Sequence, residues 1–209
     1  MSEEIHKIHF SSPGVFIAFQ KKESDVDFLE EILFQEEQSE LEQIKNEKRA
    51  IECLNVRKLR SIEGLNSPIY YNESGKPYLA SEIKLGFSIS HSKNYCAIGY
   101  GEKELGIDIE EIDERIERIS SRFMNEKEEV FIGNDRLLGL TRIWTLKEAM
   151  FKLNPRTGID FKSELILKSQ IDNSFTGEML TDKGWKRVIL NSVQFENLVI
   201  STCSFQSSD

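Results

Sequence analysis

The sequence predicts an α+β fold. Three observations carry that reading: helical apolar spacing from Asp25 to about Leu59, strand-like alternation from Phe87 to Glu110, and four further strand candidates after a long helical stretch ending at Leu153. Helices and antiparallel strands therefore occur in both halves.

Val15 to Phe19 reads as a strand. In the helical stretch that follows, Phe28, Ile32, Leu41, Ile44, Ile51, Leu54 and Leu59 mark the inward faces, with a break near Glu36 to Ser39. Ser61 to Pro68 reads as a loop, and Asn72-Glu73-Ser74-Gly75 is a turn signal between two Tyr-containing extended segments. Phe87, Ile89 and His91 share one strand face; Tyr95 to Tyr100 and the segment around Asp108 supply neighbouring strands. Ile112 to Met124 and Glu126 to Ile132 read as short helices, and Leu137 to Leu153 as a longer one stopped by Asn154-Pro155. Ser163 to Lys168, Ser174 to Leu180, Lys186 to Leu190 and Leu198 to Phe205 complete a β-rich end. Both halves run from helices to strands without a residue-level repeat, which permits two lobes, 1–103 and 104–209, divided between Gly101 and Gly106.

Composition narrows the function. With 209 residues, 39% hydrophobic and 30% charged, the chain is long enough to bury a sizeable core. A net charge of −9 argues against a general nucleic-acid binder, which needs clustered Lys and Arg over a broad face. Local basic segments exist: Lys48, Arg49, Arg57, Lys58 and Arg60, then Arg142, Lys147, Lys152 and Arg156. Charge alone reads these as solvated helix faces. No apolar run approaches the roughly 20 residues of a membrane span and no signal-peptide core is apparent, so the expectation is a cytoplasmic protein. Cys53, Cys96 and Cys203 lack paired spacing and are read as buried thiols.

The chemistry is concentrated in two clusters. Gly106-Ile107-Asp108-Ile109-Glu110, as a strand, puts Asp108 and Glu110 on one face and the isoleucines on the other. Trp144, Glu148 and Lys152, as a helix, form an i,i+4 stripe of ring, carboxylate and ammonium. Taken singly, these are a solvent-facing strand edge and a surface ion pair. Combined, three carboxylates with a lysine suit magnesium on a pyrophosphate, because Mg2+ takes oxygen ligands and shares them with substrate phosphates. Zinc lacks ligands of the right type nearby, and neither a P-loop nor a dinucleotide fingerprint is present. In Phe87-Ser88-Ile89-Ser90-His91-Ser92, Ser90 and His91 point to opposite faces of a regular strand, so a nucleophilic dyad is disfavoured and a role in anion binding is easier. His6 and His9 receive no function.

Gly75-Lys76-Pro77, Phe87 to Ser92, Gly106 to Glu110 and the WxxKEAxxK pattern of Trp144 to Lys152 occur in an order that resembles the 4'-phosphopantetheinyl transferases. The similarity is to the larger, two-lobed class that includes the surfactin synthetase activator. It implies a pseudo-dimer of two similar α+β lobes with the ligand cleft between them. It implies transfer of the 4'-phosphopantetheine arm of coenzyme A to a serine of an apo acyl or peptidyl carrier protein, releasing 3',5'-ADP, as a monomeric holo-[acyl-carrier-protein] synthase type enzyme. By motif position, Asp108, Glu110 and Glu148 hold Mg2+; Lys76 and Pro77 lie by the adenine; Ser90 and His91 meet the phosphorylated ribose. Lys152 meets the pyrophosphate, Lys147 joins the cofactor contacts, and Arg49 and Arg57 reach the 3'-phosphate. Glu148, or a water, is the base and Lys152 serves the leaving group, while Arg122, Phe123 and Met124 receive the carrier. The competing reading is a non-catalytic coenzyme A or carrier-protein binding module of the same fold.

Overall fold

A computed structural model describes residues 4–11, 14–23, 32–81 and 84–207. Two antiparallel sheets form its centre. The first has strand order β1-β2-β6-β5, from β1 (His6–Phe10), β2 (Val15–Lys21), β5 (Gly86–His91) and β6 (Tyr95–Gly101). The second has order β7-β11-β10-β9-β8, from β7 (Leu105–Glu111), β8 (Leu165–Ile171), β9 (Ser174–Thr181), β10 (Gly184–Phe195) and β11 (Leu198–Phe205). A hairpin of β3 (Ile69–Tyr71) and β4 (Pro77–Leu79) stands apart. The α+β class is as expected.

The period of two along each strand explains the layering. Val15, Ile17 and Phe19 of β2, with Tyr95 and Ala97 of β6, share one apolar cluster with Leu105, Ile107 and Ile109 of β7 and Leu198 and Ile200 of β11. The intervening residues Ala18, Cys96 and Ile98 face the other way, onto Val56 and Leu59 of helix α2 (Glu47–Ile62) and onto the hairpin. The far face of the second sheet is covered by helix α4 (Arg136–Leu153), whose Leu146, Ala149, Met150 and Leu153 meet Leu165, Phe175, Val188 and Cys203. The order of layers is helix, sheet, sheet, helix. Among the described residues no helix is long and apolar enough to cross a membrane.

One helix boundary differs from expectation. Helix α1 (Gln35–Leu41) runs through Glu36 to Ser39, and the break falls at 42–46, where Asn46 caps α2 by accepting from the Arg49 amide at 3.0 Å. Apolar spacing was misleading because Glu37 itself faces inward. It is 2% exposed, pairs with Arg60 at 3.1 Å and Arg57 at 3.5 Å, and accepts the Ile69 amide at 3.0 Å. A buried carboxylate persists only with such partners. The Asp25 to Glu31 part of the expected helix, with Phe28, lies outside the described residues. Cys96 and Cys203 are buried as expected, whereas Cys53 is only partly so.

Helix α3 (Arg115–Phe123) and a 3-10 turn (Glu126–Phe131) connect β7 to α4. Helix and sheet approach closely at Gly106 of β7. A Cβ there would lie 2.1 Å from the Ala149 carbonyl oxygen and 2.5 Å from the Leu153 amide nitrogen. Both are backbone atoms and cannot rotate away. Gly106→Ala is therefore expected to lower the unfolding free energy by about 1–3 kcal/mol, as overpacking does. An unchanged midpoint in urea denaturation would show that α4 has room to recede.

Candidate functional site

The first strand of the second sheet presents Gly106, Asp108 and Glu110 to α4, because Leu105, Ile107 and Ile109 occupy its other face. Where β5 of one sheet passes β7 of the other, serine hydroxyls take the place of ladder bonds. Ser88 Oγ accepts the Ile107 amide at 3.1 Å, and Ser90 Oγ accepts the Ile109 amide at 3.1 Å. Ser90 also donates to Asp108 Oδ1 at 2.8 Å and accepts from Lys152 Nζ at 2.8 Å. One donor and two acceptor sites are thereby all used. Lys152 closes the triangle on Asp108 Oδ1 at 2.7 Å. The surface Glu148–Lys152 pair that helix spacing favours is thus replaced by an ion pair from helix to strand.

Glu110 stands beside this triangle, held by Trp144 Nε1 at 3.3 Å and Arg115 Nη2 at 3.1 Å. Burial and then the charge of Asp108 push its carboxyl above the usual range. Glu148, partly buried, is pushed up to about 7, by burial first and then by Asp108 and Glu110 against the opposing pull of Lys152. Three carboxylates share too little positive charge. Among the described residues no three His, Cys, Asp or Glu side chains stand close enough to hold a metal ion as they are placed. Yet the donor set fits a hard divalent cation: Asp108 Oδ2 is buried without a hydrogen-bond partner, and both glutamates would ionise more readily beside a cation.

Glu110 is the member of this cluster that lines a cleft of about 1100 Å3, to which Arg49, Arg57, Tyr71, Gly75, His91 and Arg115 also contribute. Helix α2 supplies Arg49 and Arg57, the start of α3 supplies Arg115, the β3–β4 turn supplies Gly75, and the end of β5 supplies His91. Of the residues singled out by motif, Arg49, Arg57, His91 and Glu110 come together here. Arg57 is 1% exposed and already paired with Glu40 at 2.8 Å as well as with Glu37. Lys76 donates to the Leu153 carbonyl at 2.8 Å and pairs with Glu104, so Pro77 and the hairpin are tied to the C-terminal end of α4. A cation there also meets the negative end of the helix dipole.

Three expectations are corrected. Ser90 is fully buried with its hydroxyl saturated inside the fold, so it joins the sheets rather than facing the cleft. Lys147 does not join the ligand contacts: its fully buried ammonium pairs with Glu128 at 2.7 Å and donates to the Phe123 and Phe161 carbonyls at 2.7 and 2.9 Å. Burial pulls its pKa down against the charge of Glu128. One position along a helix turns a side chain by about 100°, which separates Lys147 from Glu148. Phe123 is 0% exposed, with its ring 5.1 Å from that of Trp144, so of the three residues assigned to the carrier only Arg122 is exposed and Met124 is partly so.

Sequence reasoning missed Arg115, Lys22 and Glu52. Arg115 lies five residues beyond Glu110, a spacing with no strand or helix signature across a turn. Lys22 and Glu52 are distant in sequence yet paired at 3.0 Å, and Glu52 Oε2 lies 3.2 Å from His91 Nε2. No local pattern joins them. His6 and His9, left without function, pack as rings: His6 lies 4.4 Å from Phe195 and His9 lies 4.2 Å from Phe16.

Comparison with known proteins agrees with this geometry. Residues 104–203, which hold β7, α3, α4 and the rest of the second sheet, match the family model of the 4'-phosphopantetheinyl transferase superfamily. A curated relative, the 4'-phosphopantetheinyl transferase gsp of Aneurinibacillus migulanus, is 33% identical over 85 residues. That match covers 39% of this chain and 35% of the relative, so the chain spans about a third of the length of the curated relative it matches. The resemblance carried by the motifs is borne out.

The raised carboxyl of Glu148 has a stability consequence. Its folded pKa of about 7 exceeds the ordinary 4.5, so its contribution is fully present below pH 4.5 and is lost as pH rises through 7. The loss is bounded by about 3 kcal/mol. In chelator, the melting temperature of Glu148→Gln should gain on wild type between pH 4.5 and pH 8; a difference that does not vary with pH would show that Glu148 is not crowded.

Proposed function

We propose that this chain transfers the 4'-phosphopantetheine arm of coenzyme A to a serine of an apo acyl or peptidyl carrier protein and releases 3',5'-ADP. The observation that carries the reading is a cleft lined by Arg49, Arg57 and His91 whose border at Glu110 adjoins the Asp108–Lys152 pair and Glu148. Such a border suits a ligand with a pyrophosphate at one end and a further phosphate at the other. The family match of residues 104–203 supports the same chemistry. The division of the two sheets between β6 and β7 supports two halves, 1–103 and 104–209, arranged as a pseudo-dimer around the cleft. The protein would work as a cytoplasmic monomer, as a transferase of holo-[acyl-carrier-protein] synthase type.

In-line attack of an alcohol on phosphorus asks the protein for position and charge stabilisation rather than a covalent intermediate. Arg49, Arg57 and His91 bind the nucleotide end, with Lys76 and Pro77 beside the base. Asp108, Glu110 and Glu148 would hold Mg2+, which supplies positive charge to the pyrophosphate oxygens. Glu148, or a water held beside it, would take the proton of the carrier serine. Lys152 stabilises the departing phosphate. Trp144 and Arg115 keep Glu110 turned toward the cluster. The carrier is received next to α3, where Arg122 is exposed and Met124 partly so.

One observation favours a second reading, a non-catalytic coenzyme A or carrier-protein binding module: the carboxylates are not gathered into a three-ligand group among the described residues, and Lys152 already neutralises Asp108. Incubation with Mg2+, coenzyme A and a panel of apo carriers decides between them. The transferase adds the phosphopantetheine mass to at least one carrier, whereas the module binds coenzyme A with no mass gain on any. Asp108→Ala is expected to reduce transfer by at least about a hundredfold. It should also abolish any rise in melting temperature on adding Mg2+ to the wild-type protein at pH 8, a readout independent of turnover. A melting rise that survives in Asp108→Ala would remove Asp108 from the metal site.

A further inference from the structure

Within the cleft, two carboxylates, Glu40 and Glu52, have no part in the Asp108 cluster, and Glu52 is the one beside His91. Glu52, on the second turn of α2, bridges Lys22 through Oε1 at 3.0 Å and His91 through Oε2 at 3.2 Å. Its side chain is 17% exposed and that of Lys22 10%, while His91 is half exposed toward the cleft. Lys22 is fixed further by donating to the Ser92 carbonyl at 2.9 Å. Glu52 is therefore a carboxylate built into the wall beside His91, where Lys48, Arg49 and Lys93 also line the cleft and an anionic ligand group would be drawn. The other acids of the wall are differently engaged: Glu40 faces Arg57, and Glu110 belongs to the carboxylate cluster.

We propose that Glu52 is a specificity-determining residue that lowers the cleft's preference for a nucleotide with a 3'-phosphate over the same nucleotide without one. The proposal rests on the reading of the His91 end as the 3'-phosphate end. Its physical basis is charge. Glu52 occupies His91 Nε2 in the free protein, and a phosphate arriving at His91 both competes for that nitrogen and is repelled by the carboxylate; juxtaposed like charges are costly where solvent is partly excluded. A nucleotide that lacks the 3'-phosphate meets neither penalty. The discrimination the cleft achieves is a difference between two affinities, and Glu52 acts on only one of them.

The test compares 3',5'-ADP with 5'-AMP, which differ only in that phosphate, by isothermal titration against the full chain. Glu52→Gln keeps the size of the side chain and an oxygen for Lys22 but removes the charge. It is expected to tighten 3',5'-ADP by about tenfold and to leave 5'-AMP unchanged, so the ratio of the two dissociation constants rises by the same factor. Glu52→Asp, which keeps the charge, should hold the wild-type ratio. A double variant, Lys22→Gln with Glu52→Gln, leaves no partly buried charge alone and guards against a folding failure of the single change; its ratio should also exceed the wild-type value, through His91. A ratio that is unchanged or falls in the variants, while wild type binds 3',5'-ADP, overturns the assignment of Glu52 and leaves the function standing. Failure of both nucleotides to bind any of the proteins overturns both.

Discussion

Ser90 sits where two antiparallel sheets meet without a continuous ladder, and its oxygen accepts the Ile109 amide and the Lys152 ammonium while its proton goes to Asp108. Three elements from both halves of the chain, β5, β7 and α4, are fixed at one atom. A hydroxyl is suited to this because it offers one donor and two acceptor sites on a side chain short enough to span the gap between strands. Ser88 repeats half of the arrangement two residues earlier, with the Ile107 amide. The orientation of Asp108 toward α4 is thus a product of the sheet junction as much as of its own strand.

Around that junction the fold uses buried ions where an apolar core would be simpler. Glu37 with Arg57 and Arg60, and Glu128 with Lys147, are almost wholly shielded from water. Each carboxylate also accepts backbone amides, Phe34 and Ile69 in the first case and Asn125 and Leu167 in the second. Such groups are expensive to bury and add little net stability, but they have strict directional demands. Both lie next to the parts that shape the site: the first fixes the α2 face that carries Arg57, and the second fixes the segment between α3 and β8 against the helix that carries Glu148.

Much of this was legible in the residues. The alternation of Ile107, Asp108, Ile109 and Glu110 predicts a strand with its carboxylates on one face and its isoleucines on the other, and the spacing of Trp144, Glu148 and Lys152 predicts one helix; both elements hold in three dimensions. Periodicity reports which residues are apolar, so it was blind to Glu37 and placed a break inside a helix. Motif position reports which residues occur together without saying why, so it assigns Ser90 and Lys147 to a ligand although their partners are inside the protein. The Lys22–Glu52–His91 chain joins three separate segments, and only the pairing of β2 and β5 with β6, and the packing of α2 on that sheet, brings them within reach.

Helix α4 has two possible errors of placement, rotation about its axis and translation toward the sheet, and a different residue controls each. Lys147 opposes rotation, since its ammonium must keep three acceptors on one side. Gly106 sets the distance, since the backbone of α4 rests almost on its α-carbon. With both degrees of freedom taken, the stripe of Trp144, Glu148 and Lys152 is located like a key cut on a fixed blank. The solvent-facing positions of that helix are then free to vary in size and charge, and a chain of this kind can alter its outer surface without moving its carboxylates.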